Sequence, residues 1–281
     1  MAGSNASLKR PIVHNVDVNE GSTIAAESRH GTQSIDRTVH VLKALVARGS
    51  VGWRLLDLAA HCQLDRATTH RILQALVRAR LAEQRADRRY AAGPLVFELG
   101  ASMRGHAAFQ EACRAPLARI ARELRGVAVV SLRSGDDFVC IAREGRPLKA
   151  MTIDVGTRRP LVTSVSGVAI LVALRSTAAR AIIAENFRGL TRFDAARIRS
   201  LRAMIRLSEA QGYGISTGHV VPGIGAVSLP IRNTIGEPVA SIAIVGTLDD
   251  FGAKAIPSIV AALRAQVAEI EAGRHTPIMA G

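Results

Sequence analysis

Between residues 34 and 92, apolar residues recur at helical spacing in three short stretches. The first predicted helix starts at Ser34, and a second, shorter helix follows it. Asp65 suits the N-cap of a third helix, because its side chain can accept a hydrogen bond from a free amide of the first turn. Two short strands at 81–84 and 89–92 then flank an arginine-rich turn, which predicts a hairpin. Three helices followed by such a hairpin predict a winged helix-turn-helix.

The rest of the chain predicts one further helix and an α+β domain. Pro94 suits a first helical turn, and the apolar residues after it predict a helix of near-zero net charge over 94–112. Residues 113–273 alternate strands and helices. The predicted strands are 127–133, 138–143, 149–153, 214–217, 226–231 and 239–245, and the predicted helices are 166–174, 195–211 and 254–271. Residues 1–33 are expected to form a disordered tail and 274–281 a C-terminal tail.

The charge of the chain indicates a polyanionic partner. Its 281 residues include 37 Lys and Arg against 23 Asp and Glu, which gives a net charge of +14 at pH 7. Residues 34–92 hold +6 of this charge, so this segment is the better candidate for binding nucleic acid. Aromatic residues make up only 3% of the chain, which disfavours a single-strand binder that stacks bases on rings.

The composition also indicates where the protein works. No apolar run approaches the roughly 18 residues that a membrane helix needs, so a soluble protein is expected. Three scattered cysteines are too few for a disulfide framework and fit a reducing compartment. The expected location is therefore the cytoplasm, in association with the nucleoid.

The third predicted helix is the candidate for reading DNA. Its apolar positions face inward, so the polar residues of its first turn can reach base edges and phosphates in a major groove. The arginines of the hairpin turn can contact the backbone or enter the minor groove. The candidate DNA-binding residues are Arg37, Arg66, Ala67, Thr68, His70, Arg71, Arg85, Arg88 and Arg89. The alternative is a small helical bundle with a solvated basic face.

A series of short motifs resembles the IclR family of transcriptional regulators. In the N-terminal region they are Ser-Ile-Asp-Arg at 34–37, Leu-Ala-Ala at 58–60, Leu-Asp-Arg-Ala-Thr at 64–68, His-Arg-Ile-Leu at 70–73 and Arg-Tyr-Ala-Ala-Gly-Pro at 89–94. Further along they are Pro-Leu at 116–117, Leu-Lys-Ala-Met at 148–151, Val-Gly at 155–156, Arg-Pro-Leu at 159–161, Gly-Tyr at 212–213, Pro-Gly-Ile at 222–224 and Ile-Ala-Ile-Val-Gly at 242–246. The resemblance covers about residues 34–272 and rests on their order, since no single motif is decisive.

The resemblance implies an architecture and a function. It implies a winged helix-turn-helix at 34–93, a linker helix at 94–112 and a GAF-like effector-binding domain at 113–273. Such a protein would bind a pseudo-palindromic double-stranded operator as a homodimer, paired through its first helix and the linker helix, and the dimers could pair into tetramers. The effector pocket would include Met151, Val165, Ser166, Ser216, Thr217, Ile224, Ala226, Ala243 and Val245. No cofactor, metal or catalytic residue is expected.

The residues at the pocket positions indicate the class of effector. Family members that bind small oxoacids place an acidic residue after Gly-Tyr, a cysteine after Pro-Gly and serines on the last strand. Here those places hold Ser216 or Thr217, then Ala226, then Ala243 with Val245. A small hydrophilic effector would lack partners for its buried polar atoms, so a larger or more apolar acid, such as an aromatic acid, fits better. Its carboxylate could lie at the backbone amides of Val165 and Ser166, which otherwise simply begin a helix.

Two alternatives remain at this stage. One is a pocket with no physiological ligand. The other is a GAF-like binding protein or metabolic enzyme whose basic N-terminal domain serves only assembly. The chain has no P-loop and no nucleophile elbow, and the glycine-rich stretch 212–218 lacks the spacing of a dinucleotide loop. Cys62 is expected in the core, and Asp136 with Asp137 in a solvated turn.

Overall fold

A computed structural model describes residues 32–146, 148, 153–218 and 220–273. Its N-terminal region contains three helices and a hairpin, as the apolar spacing predicts. The helices are α1 (Gln33–Ala47), α2 (Leu55–His61) and α3 (Arg66–Arg78), and the strands are β1 (Ala82–Gln84) and β2 (Tyr90–Ala92). The predicted winged helix-turn-helix is therefore confirmed.

Trp53 connects the wing, which is the hairpin of β1 and β2, to the three helices. Its backbone exchanges two hydrogen bonds of 2.8 Å with Tyr90 of β2, so the extended stretch before α2 acts as a third strand of the wing. Its indole Nε1 donates to the Ala44 carbonyl of α1 at 2.8 Å. The ring is buried in one apolar cluster with Leu45, Leu73 and other residues of all three helices. Cys62 belongs to this cluster, which confirms its predicted place in the core.

The predicted helix at 94–112 is two helices in the structure. They are α4 (Pro94–Ser102) and α5 (Arg104–Glu123), so α5 passes through the predicted domain boundary at 112. Between them, Met103 leaves the helical conformation at φ −86°, ψ 70°. The Ser102 hydroxyl donates to the Leu99 carbonyl at 2.7 Å, which is the acceptor that the Met103 amide would use in a continuous helix. Beyond the break, apolar residues continue at helical spacing and pack on the sheet.

A six-stranded antiparallel sheet is the centre of the C-terminal region. Its strands are β3 (Val127–Ser134), β4 (Asp137–Glu144), β5 (Arg158–Pro160), β6 (Gly214–Thr217), β7 (Ile224–Arg232) and β8 (Pro238–Thr247), in the order β5-β4-β3-β8-β7-β6. The helices are α6 (Val165–Ala173), α7 (Ser176–Gly189), α8 (Ala195–Gln211) and α9 (Ile256–Ala272). The predicted strand at 149–153 lies outside the described residues except at Ile153. β5 and α7 have no counterpart among the predicted elements.

The two faces of this sheet bury different helices. On one face, α5 and α9 pack against a cluster that includes Ala128, Val227 and Ile242. On the other face, α6 and α8 pack against a cluster that includes Ala226 and Ala243. Because side chains alternate along a strand, β7 and β8 contribute residues to both clusters. We call the side covered by α6 the inner face, since the predicted pocket residues of the strands lie mainly there.

Asp137 is not in a solvated turn, which corrects that expectation. The residue is only 8% exposed, and its Oδ2 accepts a hydrogen bond of 2.8 Å from Arg158 Nε. The same guanidinium also donates to Ser134, so the acid at the start of β4 is held by the neighbouring strand. Burial raises the pKa of this carboxyl, against the opposing effect of Arg158.

Candidate functional site

The first turn of α3 is fixed by its N-cap. Asp65 accepts a hydrogen bond of 2.8 Å from the Thr68 amide, as the sequence predicts. Hydrogen bonding from Thr68 holds the pKa of the Asp65 carboxyl below its usual value. Arg71 Nη2 also lies 3.4 Å from Thr68 Oγ1, so one threonine bridges the cap and an arginine of the next turn.

The candidate DNA-binding residues of α3 lie on the outer side of its first two turns. Thr69, Leu73 and Leu76 are buried, so the helix is anchored by its other side. Thr68 is half-buried, and the remaining four, Arg66, Ala67, His70 and Arg71, are exposed. Arg37 is exposed on α1. The structure thus leaves the donors of this helix end open to a partner.

The three arginines of the wing differ in their surroundings. Arg85 pairs with Glu83 at 3.3 Å, and Arg89 pairs with Asp87 at 3.4 Å while also donating to the Gly52 carbonyl. Arg88 is exposed at the tip of the turn, with a positive φ of 62°. Among the three, Arg88 is therefore the one that best suits a phosphate contact. Arg54, exposed immediately before α2, is a further cation that the sequence analysis did not select.

The start of α6 is held in a narrow space between two chain segments. Ser164 caps the helix, since its hydroxyl accepts a hydrogen bond of 3.2 Å from the Gly167 amide. A Cβ at Gly167 would lie 2.1 Å from the Leu161 carbonyl oxygen, and one at Gly214 would lie 2.3 Å from that of Val165. These two glycines allow the helix start to approach both the 3₁₀ turn Leu161–Thr163 and β6. The predicted pocket residues Val165 and Ser166 are accordingly buried.

The sheet brings most of the other predicted pocket residues together. Ser216, Ala226 and Val245 are cross-strand neighbours in one row, and Ala243 lies two residues before Val245 on β8, in the next inner-face row. Val165, Ala226 and Ala243 share one apolar cluster, against which Val245 packs.

Three predicted pocket residues lie elsewhere or at the margin. Ile224 is half-buried at the first position of β7, two residues before Ala226 and on the same side of the strand. Thr217 is exposed and points to the side of β6 that Ile215 occupies, away from Ser216. Met151 lies outside the described residues.

The inner face also carries polar residues that sequence reasoning missed. Arg143 on β4 is opposite Val129 of β3, which is opposite Ala243 of β8, so the arginine lies in the same cross-strand row as a predicted pocket residue. Ser131 and Ser241 are neighbours in the next row, and both are fully buried. The alternation along β3 and β8 could have identified the serines. The β-bulge between β3 and β4 interrupts the alternation of faces along β4, so the sequence does not show that Arg143 lies on the inner face.

The two regions of the chain meet at α1. A Cβ at Gly156, in the turn before β5, would lie 3.7 Å from the Val46 carbonyl oxygen. The charge of Lys43 lies close enough to Asp137 to favour its ionised form and so to lower its pKa, although burial outweighs this effect. Both observations indicate that α1 lies near the edge of the sheet that contains β4 and β5.

The described residues provide no site for a metal and no membrane helix. Within these ranges, no group of three or more His, Cys, Asp or Glu side chains could hold a metal ion. Likewise, none of the helices that the structure describes is long and apolar enough to cross a membrane. Burial raises the pKa of the Cys62 and Cys140 thiols to about 12, so neither is a ready nucleophile.

Comparison with known proteins agrees with this architecture. Residues 104–272 match the family model of the bacterial transcriptional regulator IclR C-terminal domain, and residues 34–86 match that of the IclR helix-turn-helix domain. Among solved structures, an IclR regulator from Alicyclobacillus acidocaldarius is 23% identical, with a TM-score of 0.64, over 85% of this chain and 98% of that chain. An IclR homologue from Microbacterium hydrocarbonoxydans, complexed with 4-hydroxybenzoate, is 19% identical with the same TM-score and the same coverage.

Curated relatives indicate the function of the whole chain. The HTH-type transcriptional regulator BhcR of Paracoccus denitrificans is 27% identical over 231 residues, which are 79% of this chain and 80% of that protein. The HTH-type transcriptional repressor AllR of Escherichia coli is 27% identical over 225 residues, 78% of this chain and 82% of that protein. These relatives are regulators and not enzymes, so the metabolic-enzyme alternative is not favoured. The chain belongs to the IclR family, as a transcriptional regulator with a DNA-binding helix-turn-helix domain and an effector-binding C-terminal domain.

Proposed function

We propose that this regulator binds a pseudo-palindromic operator as a homodimer and that an organic acid with an apolar body controls this binding. The observation that supports the proposal most strongly is that the outer side of the first two turns of α3 and Arg88 at the wing tip are both exposed. Arg66 and Arg71 offer donors that suit guanine edges or phosphates, and Thr68 suits either a base or a phosphate. Arg88 adds a contact that carries no sequence information.

A second copy of the chain is the proposed partner of α1 and α4. None of the α4 residues is buried, although Phe97 and Leu99 are large and apolar, and Met103 just after the helix is exposed as well. The Phe97 side chain is 78% exposed. On α1, Ile35 and Val39 are exposed as well. Exposed apolar residues on two helices of a DNA-binding region are typical of an interface, and a dimer would present two copies of α3 to a two-fold site.

The inner face of the sheet is the proposed effector pocket. Ala226 and Ala243 are small residues on the strands that face α6, and Ser216 adds a hydroxyl at one end of the row. Small apolar residues with few polar groups suit a ligand whose body is apolar and whose orientation depends on a few hydrogen bonds. The homologue from Microbacterium hydrocarbonoxydans binds an aromatic acid, 4-hydroxybenzoate. For this chain we propose an acid of the same class.

A footprint on the DNA upstream of its own coding sequence tests the proposal. We expect two protected half-sites about one helical turn apart, in a mobility shift whose affinity falls as salt rises. Protection of a single half-site would contradict the dimer. An affinity for this DNA equal to that for random duplex would contradict sequence-specific binding.

A further inference from the structure

We propose that Arg143, Ser131 and Ser241 form an anion subsite on the inner face, where the carboxylate of the effector binds. This inference rests on the proposed function, because it assigns the acidic group of the ligand to one end of the same pocket. It differs from the sequence-based expectation, which places the carboxylate at the start of α6.

The three side chains lie close together on the sheet. Ser131 of β3 and Ser241 of β8 are directly opposite each other, and Arg143 of β4 is opposite Val129, two residues before Ser131. Opposite residues in antiparallel strands have Cβ atoms about 5 Å apart, and diagonal neighbours are about 7–8 Å apart. A long arginine side chain can therefore reach the region over the serine pair.

All three residues have a buried polar atom that lacks a partner. Among the described residues, neither Ser131 Oγ nor Ser241 Oγ has a hydrogen-bond partner, and the same holds for Arg143 Nη2. Both serines are fully buried, and the arginine side chain is only 13% exposed. Buried polar groups are nearly always satisfied in folded proteins, so three such donors on one face indicate a ligand that accepts hydrogen bonds. A carboxylate is such a ligand, because it accepts hydrogen bonds only.

Arg143 is held so that only part of its guanidinium is available. Its Nη1 donates to the Ile153 carbonyl at 3.2 Å and pairs with the Asp154 carboxylate. The Asp154 side chain is 80% exposed, so water screens its charge, whereas Nη2 is buried. The arginine is thus fixed in place by one amino group while the other remains for an anion.

The surroundings of the subsite suit the apolar body of an acid. Val129 and Cys140 form one apolar cluster beside Arg143, and Ala243 belongs to the cluster under α6. Ile153 packs against both clusters. From Arg143 to Ala243 the row crosses two strand spacings, about 10 Å in all. We expect the ring of an aromatic monocarboxylate to lie over Val129, with its carboxylate toward Arg143.

Calorimetry on the full-length protein tests the subsite with benzoate, phenylacetate and 4-hydroxybenzoate, and with uncharged benzamide for comparison. We expect at least one acid to bind tenfold or more tightly than benzamide, since a charge-assisted hydrogen bond contributes more than a neutral one. Arg143→Gln should weaken the binding of that acid by roughly tenfold to a hundredfold and leave the affinity for benzamide unchanged. Arg232→Gln, an exposed arginine on β7, is the matched control and should bind like the parent.

A second pair of variants separates ligand binding from folding. Without ligand, the double variant Ser131→Ala/Ser241→Ala should have a Tm equal to or higher than that of the parent. The reason is that it removes two buried hydroxyls that lack a partner. Ser228→Ala should lower the Tm, because that hydroxyl donates to the Ile242 carbonyl at 3.0 Å. The double variant should nevertheless bind the acid severalfold more weakly than the parent.

Three results would overturn the subsite: no acid binds the parent, no acid binds it more tightly than benzamide does, or Arg143→Gln binds the acid like the parent. Mobility shifts distinguish this failure from failure of the proposed function. If the parent binds its upstream DNA and Arg143→Gln still responds fully to the acid, the proposed function stands and the subsite is refuted. A parent that does not bind that DNA specifically refutes the proposed operator, whatever calorimetry shows.

Discussion

Gly214 at the start of β6 lies directly against Val165 at the start of α6. A Cβ at Gly214 would be 2.3 Å from the Val165 carbonyl oxygen, far inside van der Waals contact. The atom in the way is backbone, so it cannot rotate aside as a side chain can. The glycine therefore sets how closely β6 approaches α6, the helix that covers the inner face.

Gly214→Ala is expected to destabilise the effector-binding domain by about 1–3 kcal/mol or more, because α6 and β6 must separate. Urea unfolding of the parent and the variant measures the difference. Gly189→Ala near the end of α7 is the control, since a Cβ there meets nothing within 4 Å. Equal losses in the two variants would contradict the close approach.

Arg71→Ala and Thr68→Ala are expected to reduce discrimination between operator and random DNA, with about 1–3 kcal/mol lost for a bidentate base contact. Arg88→Ala in the wing should weaken binding to both DNAs about equally. Mobility shifts at two salt concentrations measure both effects, and Arg88→Ala should also reduce the salt slope. Arg78→Ala, exposed in the last turn of α3, serves as the control. If Arg71→Ala and Thr68→Ala, like Arg88→Ala, lose similar affinity for operator and for random DNA, α3 does not read the sequence.

Asp65→Asn should remove part of the pH dependence of stability at acid pH. The pKa of Asp65 is lowered in the folded chain by its hydrogen bonds to Thr68. Its stabilising contribution is therefore complete above the unfolded value of about 3.9 and is lost as pH falls through the folded value. Thermal unfolding from pH 6 to pH 3 should show the parent losing its advantage over Asp65→Asn as the pH falls. An advantage of the parent that grows on acidification would contradict the cap.

Phe97→Glu on α4 is expected to weaken the dimer, because it introduces a charge into the apolar surface proposed for the partner. Light scattering should show a lower mass at micromolar concentration, and operator affinity should fall with it. Ile235→Glu is the control, since Ile235 is similarly exposed, at 76%, in the turn between β7 and β8. A variant that remains dimeric would place the interface elsewhere.

The elements with a strong local signal could be predicted from sequence alone. The apolar spacing gives the bounds of α8 and β6 as the structure has them, and Gly212 ends α8 with a φ of 76° that favours glycine. β5 has only three residues, two arginines and a proline, and it forms because β4 pairs with it. Its pairing is tertiary, so no local pattern predicts it.

The residues of the proposed pocket could be predicted in part. The family resemblance predicts Ala226, Ala243 and Val245 as pocket residues, and the sheet brings them together. The place of Arg143 on the inner face could not be predicted. The β-bulge adds one residue to β4 between Cys140 and Arg143, and this extra residue changes which face the arginine occupies. Only the fold shows that it shares a row with Ala243.

Ala243→Phe is expected to fill the proposed pocket, so that the variant loses its response to the acid while its DNA binding without ligand is unchanged. Ala243 is buried on the inner face opposite Ser228 and far in sequence from α3, so the substitution leaves the reading helix untouched. Mobility shifts with and without the acid measure this. A variant that responds like the parent would show that the pocket lies elsewhere.

The central claim is that acid binding and operator binding are coupled within one molecule. It is tested most directly by titrating operator with and without the acid that calorimetry identifies, and by titrating that acid with and without operator. The account predicts that each ligand changes the affinity of the other by the same factor, different from one, and that this factor becomes one in Ala243→Phe. An operator affinity that the acid leaves unchanged in the parent, although both ligands bind, would contradict it.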